Sequence, residues 1–164
     1  DLSDLRVEVG TVHSVGSPGT LEGGDVVITE QGLFVGESQR TNEDGIRQLA
    51  TSLDHLQVKS VRTRLLHRLC GCSYLSQRTM IIAPNLVDPK SFSSYRHITI
   101  PLEEAYAADA LYVGDGKVII PSGFPKTAMK LKETGYKPVE VEMSEFYKGD
   151  GGVTCLCSPV YNLF

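Results

Sequence analysis

A pattern of strand, turn, strand, loop, helix, strand recurs along the chain at roughly 40 residues, a period typical of propellers and stacked arrays. The first unit begins with Asp25-Val26-Val27-Ile28-Thr29, turns at Glu30-Gln31-Gly32 and returns as Leu33-Phe34-Val35-Gly36. Ile46, Leu49, Leu53 and Leu56, at spacings of three and four, predict a helix from about Asn42 to Leu56. Thr41 or Asn42 can cap it, with Glu43 and Asp44 in its first turn, and Gln57 to Val61 reads as the closing strand. The second unit pairs Cys72-Ser73-Tyr74-Leu75 with Met80-Ile81-Ile82-Ala83, passes through a turn-rich stretch from Asn85 to Ser94 and closes on His97 to Ile100. The third pairs Ala110 to Val113 with Val118 to Pro121 across Gly114-Asp115-Gly116-Lys117, a strong hairpin signal. A helix from Pro125 to Thr134, a stop at Gly135 and a strand from Pro138 to Glu142 complete it. A last strand is expected from Val153 to Pro159, after Gly151-Gly152. The competing account is an ordinary mixed α/β domain with coincidental spacing; the hairpin opening each unit favours the repeat.

Length and composition fit one soluble domain: 164 residues, 41% hydrophobic, 22% charged. The net charge of -4 and the absence of any cluster of five basic residues give no support for a nucleic-acid partner. No apolar run approaches the ~18 residues of a membrane helix, and Asp1 to Leu5 lack the basic start and apolar stretch of a signal peptide. The missing initiator methionine suggests a processed, trimmed or partial chain. Four cysteines in two Cys-x-Cys pairs, Cys70/Cys72 and Cys155/Cys157, are too few and too clustered for a disulfide scaffold, so reduced thiols in a cytoplasm are expected.

Taken locally, the residues able to do chemistry keep two readings each. Cys155 follows a double glycine at a strand start, where reactive groups are often mounted. Locally, it and Cys157 read better as small hydrophobes on one face of a buried strand. His67, in Leu65-Leu66-His67-Arg68-Leu69, could be a core histidine, and Glu22, in Thr20-Leu21-Glu22-Gly23-Gly24-Asp25, a solvated turn acid. Four thiolates would suffice for tetrahedral zinc, but the Cys-x2-Cys knuckle is absent. Phosphate-cradling glycine motifs, a Gly-x-Ser-x-Gly elbow and His-Glu-x-x-His are missing as well.

Five segments in order carry a resemblance: Thr20 to Asp25, Phe34-Val35-Gly36-Glu37-Ser38-Gln39-Arg40-Thr41-Asn42, Leu66-His67, Gly123 to Thr127, and Ser144-Glu145 through Asp150-Gly151-Gly152-Val153-Thr154-Cys155. Together they resemble the dimethylarginine dimethylaminohydrolase family within the guanidine-modifying, or pentein, superfamily. The resemblance implies an α/β propeller of five ββαβ modules around a polar channel. Residues 1–164 would form the C-terminal portion of that single domain, about three modules of the five, with a second chain or further modules completing the ring. It also implies hydrolysis of N-methylated arginine, or arginine, to citrulline and an amine, without a cofactor or metal, on a small-molecule substrate.

Carried over by motif, Cys155 would be the nucleophile, His67 the general acid/base and Glu22 the carboxylate that orients it. Arg40 would hold the substrate carboxylate, and Asp150 would face the guanidinium with the Gly149 carbonyl beside it. Arginine and agmatine deiminases carry an aspartate two positions after the histidine; here Leu69 stands there, which favours the dimethylarginine branch. That branch usually has Leu-Lys after the histidine, and Arg68-Leu69 departs from it. The same propeller serves a non-catalytic ribosome-binding factor, against which Cys155, His67 and Glu22 argue.

Overall fold

Turn chemistry and apolar alternation give three small sheets of one design. In a computed structural model that describes residues 12–62 and 71–157, the first is built from β1 (Val26–Thr29), β2 (Gly32–Glu37) and β3 (Val58–Arg62). β1 runs antiparallel to β2, and β3 returns parallel to β2 after helix α1 (Glu43–Ser52). The second has β4 (Cys72–Ser76) antiparallel to β5 (Thr79–Ile82), with β6 (Arg96–Thr99) parallel to β5. The third has β7 (Leu111–Tyr112) antiparallel to β8 (Lys117–Pro121), then α2 (Pro125–Glu133) and a parallel β9 (Lys137–Val141). Among the described residues each sheet thus has the antiparallel hairpin and parallel returning strand expected from the sequence, in mixed α/β sheets.

Local chemistry explains the differences between units. Asn42 caps α1 by accepting the Gly45 N–H, but the helix ends at Ser52, short of the expected Leu56. In the second unit the loop holds a 3-10 turn, Pro89–Phe92, capped by Asp88, in place of an α-helix. Pro89 and the Ser93-Ser94 pair suit a short turn better than a long helix. α2 has no side chain of its own at its cap, Phe124. Glu104, from the preceding 3-10 segment Leu102–Ala108, supplies it: the buried carboxylate accepts the N–H groups of Lys126 (3.1 Å) and Thr127 (2.7 Å) and the Thr127 hydroxyl (2.7 Å).

The middle sheet is packed on both faces, so all four residues of β5 are buried. Ile81 points into a core shared with Leu75, Ile98, Ala110, Val118, Ile120 and Leu131 of the second and third units. Met80 and Ile82 point the other way, into a core with Phe34, Val61, Phe92 and Tyr95. There the Phe34 and Phe92 rings sit 4.8 Å apart, tilted, as aromatic pairs prefer. A smaller cluster of Leu33, Val35 and Ile46 fastens α1 to the first sheet. Among the described residues no helix is long and apolar enough to cross a membrane.

Candidate active site

From sheet to sheet the strands in contact are the first of each unit, β1 with β4 and β4 with β7. Their directions follow from three contacts. Thr29 Oγ1, at the end of β1, lies 2.8 Å from the Tyr95 hydroxyl. Tyr95 leads into β6, which starts beside Thr79, one tight turn after the end of β4. The ends of β1 and β4 therefore lie together, and so do their starts. At the start of β4, the Ser73 hydroxyl donates to Ala108 O (2.8 Å) and accepts from Ala110 N–H (3.0 Å), which fixes the approach to β7 at the same level. One rim of the molecule thus gathers the segments entering all three inner strands.

On that rim, Asp25 organises the first cluster. Its side chain is buried, and Oδ2 accepts the hydroxyls of Ser38 and Thr41, both at 2.6 Å. A buried carboxylate without such donors would be costly, so these short charge-assisted bonds hold residues 38–41 against the start of β1. Thr41 Oγ1 in turn accepts the Glu22 N–H (2.9 Å), and Ser38 Oγ accepts that of Arg40 (3.0 Å). Asn42 bonds Thr20 and Pro18 while capping α1, and the loop lies so close that a Cβ on Gly45 would sit 2.0 Å from Thr20 O. The result places Arg40 Nη1 3.6 Å from Glu22 Oε2, with both side chains about half exposed. Such a pair contributes at most about 1 kcal/mol and exchanges partners readily.

The second cluster is the C-terminal segment. A short helix, α3 (Ser144–Tyr147), leads into Gly149 and Asp150, the latter with φ of +57°. The Gly151 carbonyl accepts the Tyr106 hydroxyl at 2.6 Å, and the Thr154 N–H donates to Asp109 Oδ1 at 2.9 Å. Cys155 sits exposed in a 3-10 turn, Thr154–Leu156, so the strand expected from Val153 does not form across the described residues. The bond to Asp109, 45 positions upstream, turns the backbone there instead. Cys157 is exposed too, not a buried neighbour on a strand face.

Of the six residues singled out from the sequence, Glu22 and Arg40 are brought into contact, while Gly149, Asp150 and Cys155 share one segment docked on the same rim through Tyr106 and Asp109. His67 lies outside the described residues, as does Cys70. Cys72 is buried in the core beside Met80 and Ile82. Among the described residues no group of three or more His, Cys, Asp and Glu could hold a metal ion. Sequence reasoning overlooked Asp25 as a hub and Asp109 and Tyr106 as anchors. The signal for Asp109 was present: a single carboxylate inside Ala107-Ala108-Asp109-Ala110, entering a strand, where burial requires partners.

A family model for arginine deiminase matches residues 3–99. The sequence is 41% identical to an uncharacterized protein of Aeropyrum pernix over 99% of this chain and 60% of that one. It is 37% identical to an N(G),N(G)-dimethylarginine dimethylaminohydrolase of Pseudomonas aeruginosa over 92% of this chain and 60% of the relative. The structure superposes with a TM-score of 0.80 and 38% identity on the Pseudomonas aeruginosa enzyme solved as a cysteine-to-serine mutant complexed with citrulline, over 86% of this chain and 56% of that one. The chain thus spans 60% of the length of these curated relatives.

Proposed function

The chain belongs to the arginine deiminase family, and from that premise we propose that it carries the thiol chemistry of an amidine hydrolase converting N-methylated arginine, or arginine, to citrulline and an amine. Cys155 is the nucleophile, His67 the acid/base and Glu22 its orienting carboxylate. Arg40 grips the substrate carboxylate, and Asp150 with the Gly149 carbonyl faces the guanidinium. The observation that carries the reading is the shared rim, where the Glu22–Arg40 pair and the exposed Cys155 turn are held by separate buried aspartates.

A guanidinium is resonance-stabilised and a poor electrophile, so attack calls for a soft nucleophile such as thiolate. The substrate cation beside Cys155 favours that thiolate. Sulfur adds to the guanidinium carbon, the tetrahedral adduct expels the amine with a proton from His67, and a covalent thiouronium remains. His67 then takes a proton from water, hydroxide adds to the same carbon, and the C–S bond breaks to give citrulline and free thiolate. Arg40 meets the α-carboxylate with a fork that lysine lacks. Its weak pairing with Glu22 can yield as the substrate carboxylate arrives, freeing Glu22 for the imidazole. Leu69, in place of the deiminase aspartate, favours a methylated guanidine. Exposed Cys155 and Cys157 suit a reducing compartment such as the cytoplasm.

The whole ring, with its remaining modules supplied by further sequence or a second chain, is part of the same proposal. The test is citrulline formation from N,N-dimethylarginine and from arginine by the full-length gene product with any copurifying partner. The wild type should form citrulline from the methylated substrate, and Cys155→Ser should form none while keeping its melting temperature. Citrulline production by the substituted protein would remove the assignment.

A further inference from the structure

Asp109 is a buried carboxylate that the chemistry above does not use. It is 3% exposed and bonds the backbone of the Cys155 segment. Oδ1 accepts the N–H of Thr154, the residue next to Cys155, at 2.9 Å. The 3-10 turn there begins after Val153, which has no side chain able to cap it, so Asp109 provides the cap from 45 positions away. The fit leaves no spare room: a Cβ on Gly152 would lie 1.8 Å from Asp109 Oδ2. One residue earlier, the Tyr106 hydroxyl holds Gly151 O at 2.6 Å, and the Tyr106 ring packs edge-on against Tyr147 at 4.4 Å.

Asp109 is itself held from the opposite side. Ser73, buried on β4, donates to the carbonyl before Asp109 and accepts from the N–H after it. A continuous chain of bonds therefore runs from β4 through Ser73 and Asp109 to the peptide of Thr154. We propose that Asp109, set by Ser73, is a positioning residue that fixes the Cys155 turn, and so its sulfur, relative to β4. The inference rests on the function proposed above for Cys155. Its physical basis is that a misplacement of about 1 Å at a reacting centre can cost about 100-fold in rate.

The test compares full-length wild type with Asp109→Ala, Asp109→Asn and Glu104→Ala. The last removes the α2 cap from the same 3-10 segment and serves as a control for general loosening. Asp109→Ala should lower kcat by about 100-fold with KM changed by less than about threefold. Asp109→Asn should recover most of the rate, because an amide oxygen can accept the same N–H. Glu104→Ala should lose melting temperature and keep kcat. Hydrogen exchange at the Thr154 amide should accelerate in Asp109→Ala alone. Unchanged kcat in Asp109→Ala, failure of Asn to rescue, or an equal loss in Glu104→Ala would overturn the proposal. If the wild type forms no citrulline, the functional reading fails by itself, and iodoacetamide decides the positioning. Alkylation at Cys155 should then be about tenfold faster in Asp109→Ala than in wild type or Asp109→Asn, and equal rates in all three would refute it.

Discussion

Two aspartates, each just upstream of an inner strand, carry the argument at the scale of single residues. Asp25 binds two hydroxyls at 2.6 Å and through them sets the backbone of Glu22 and Arg40. Asp25→Ala should therefore destabilise the protein by about 3–6 kcal/mol, since each of the two lost charge-assisted bonds contributes roughly 1.5–3 kcal/mol. It should also raise KM by about tenfold with a smaller effect on kcat, because Arg40 would lose its setting. Denaturant unfolding and steady-state kinetics on the full-length protein check the two halves of that expectation. Glu22, Arg40 and Cys155 were singled out through the family resemblance of the runs they lie in, not by local pattern, and their roles belong to the proposed function. The partners of the aspartates were not legible, because they stand between 13 and 45 positions away, although the setting of Asp109 among alanines did signal its burial.

Hairpins and helices were readable where their signals are local. Asp115 takes a φ of +50° between two glycines, as its turn requires, and Asn42 caps α1. The 3-10 turn at Thr154–Leu156 and the cap on α2 were not readable, since Asp109 and Glu104 act from other elements. The same α2 terminus offers a pH test. The Lys126 ammonium, 2.5 Å from Glu103, holds that carboxyl below its ordinary value of 4.5, while Glu103 raises Lys126 above 10.5. A depressed carboxyl contributes fully above pH 4.5 and loses its contribution as pH falls through the lowered value. The raised lysine contributes fully below pH 10.5 and loses its part as pH climbs through the higher value. Both side chains are more than half exposed, so the effect is small. Glu103→Gln should lower the melting temperature slightly at about pH 7, and its difference from wild type should shrink progressively as the pH is taken below the carboxyl's ordinary value of 4.5.

At the scale of the molecule, the described residues form three sheets side by side, with the middle one covered on both faces. The alternation of apolar residues foretold the sheets. Which faces meet depends on contacts such as Phe34 with Phe92 and Ser73 with Ala108, which join separate units. On the first and third sheets, Ile28 and Val139 remain 45% and 41% exposed. The account's central claim is that the Glu22–Arg40 cluster and the Cys155 turn serve a single substrate. The direct measurement is a crystal structure of the full-length Cys155→Ser protein with citrulline. The account predicts one ligand, its carboxylate on Arg40 and its ureido carbon against the side chain at position 155. Citrulline bound away from either of those positions, or the two opening onto separate clefts, would contradict it.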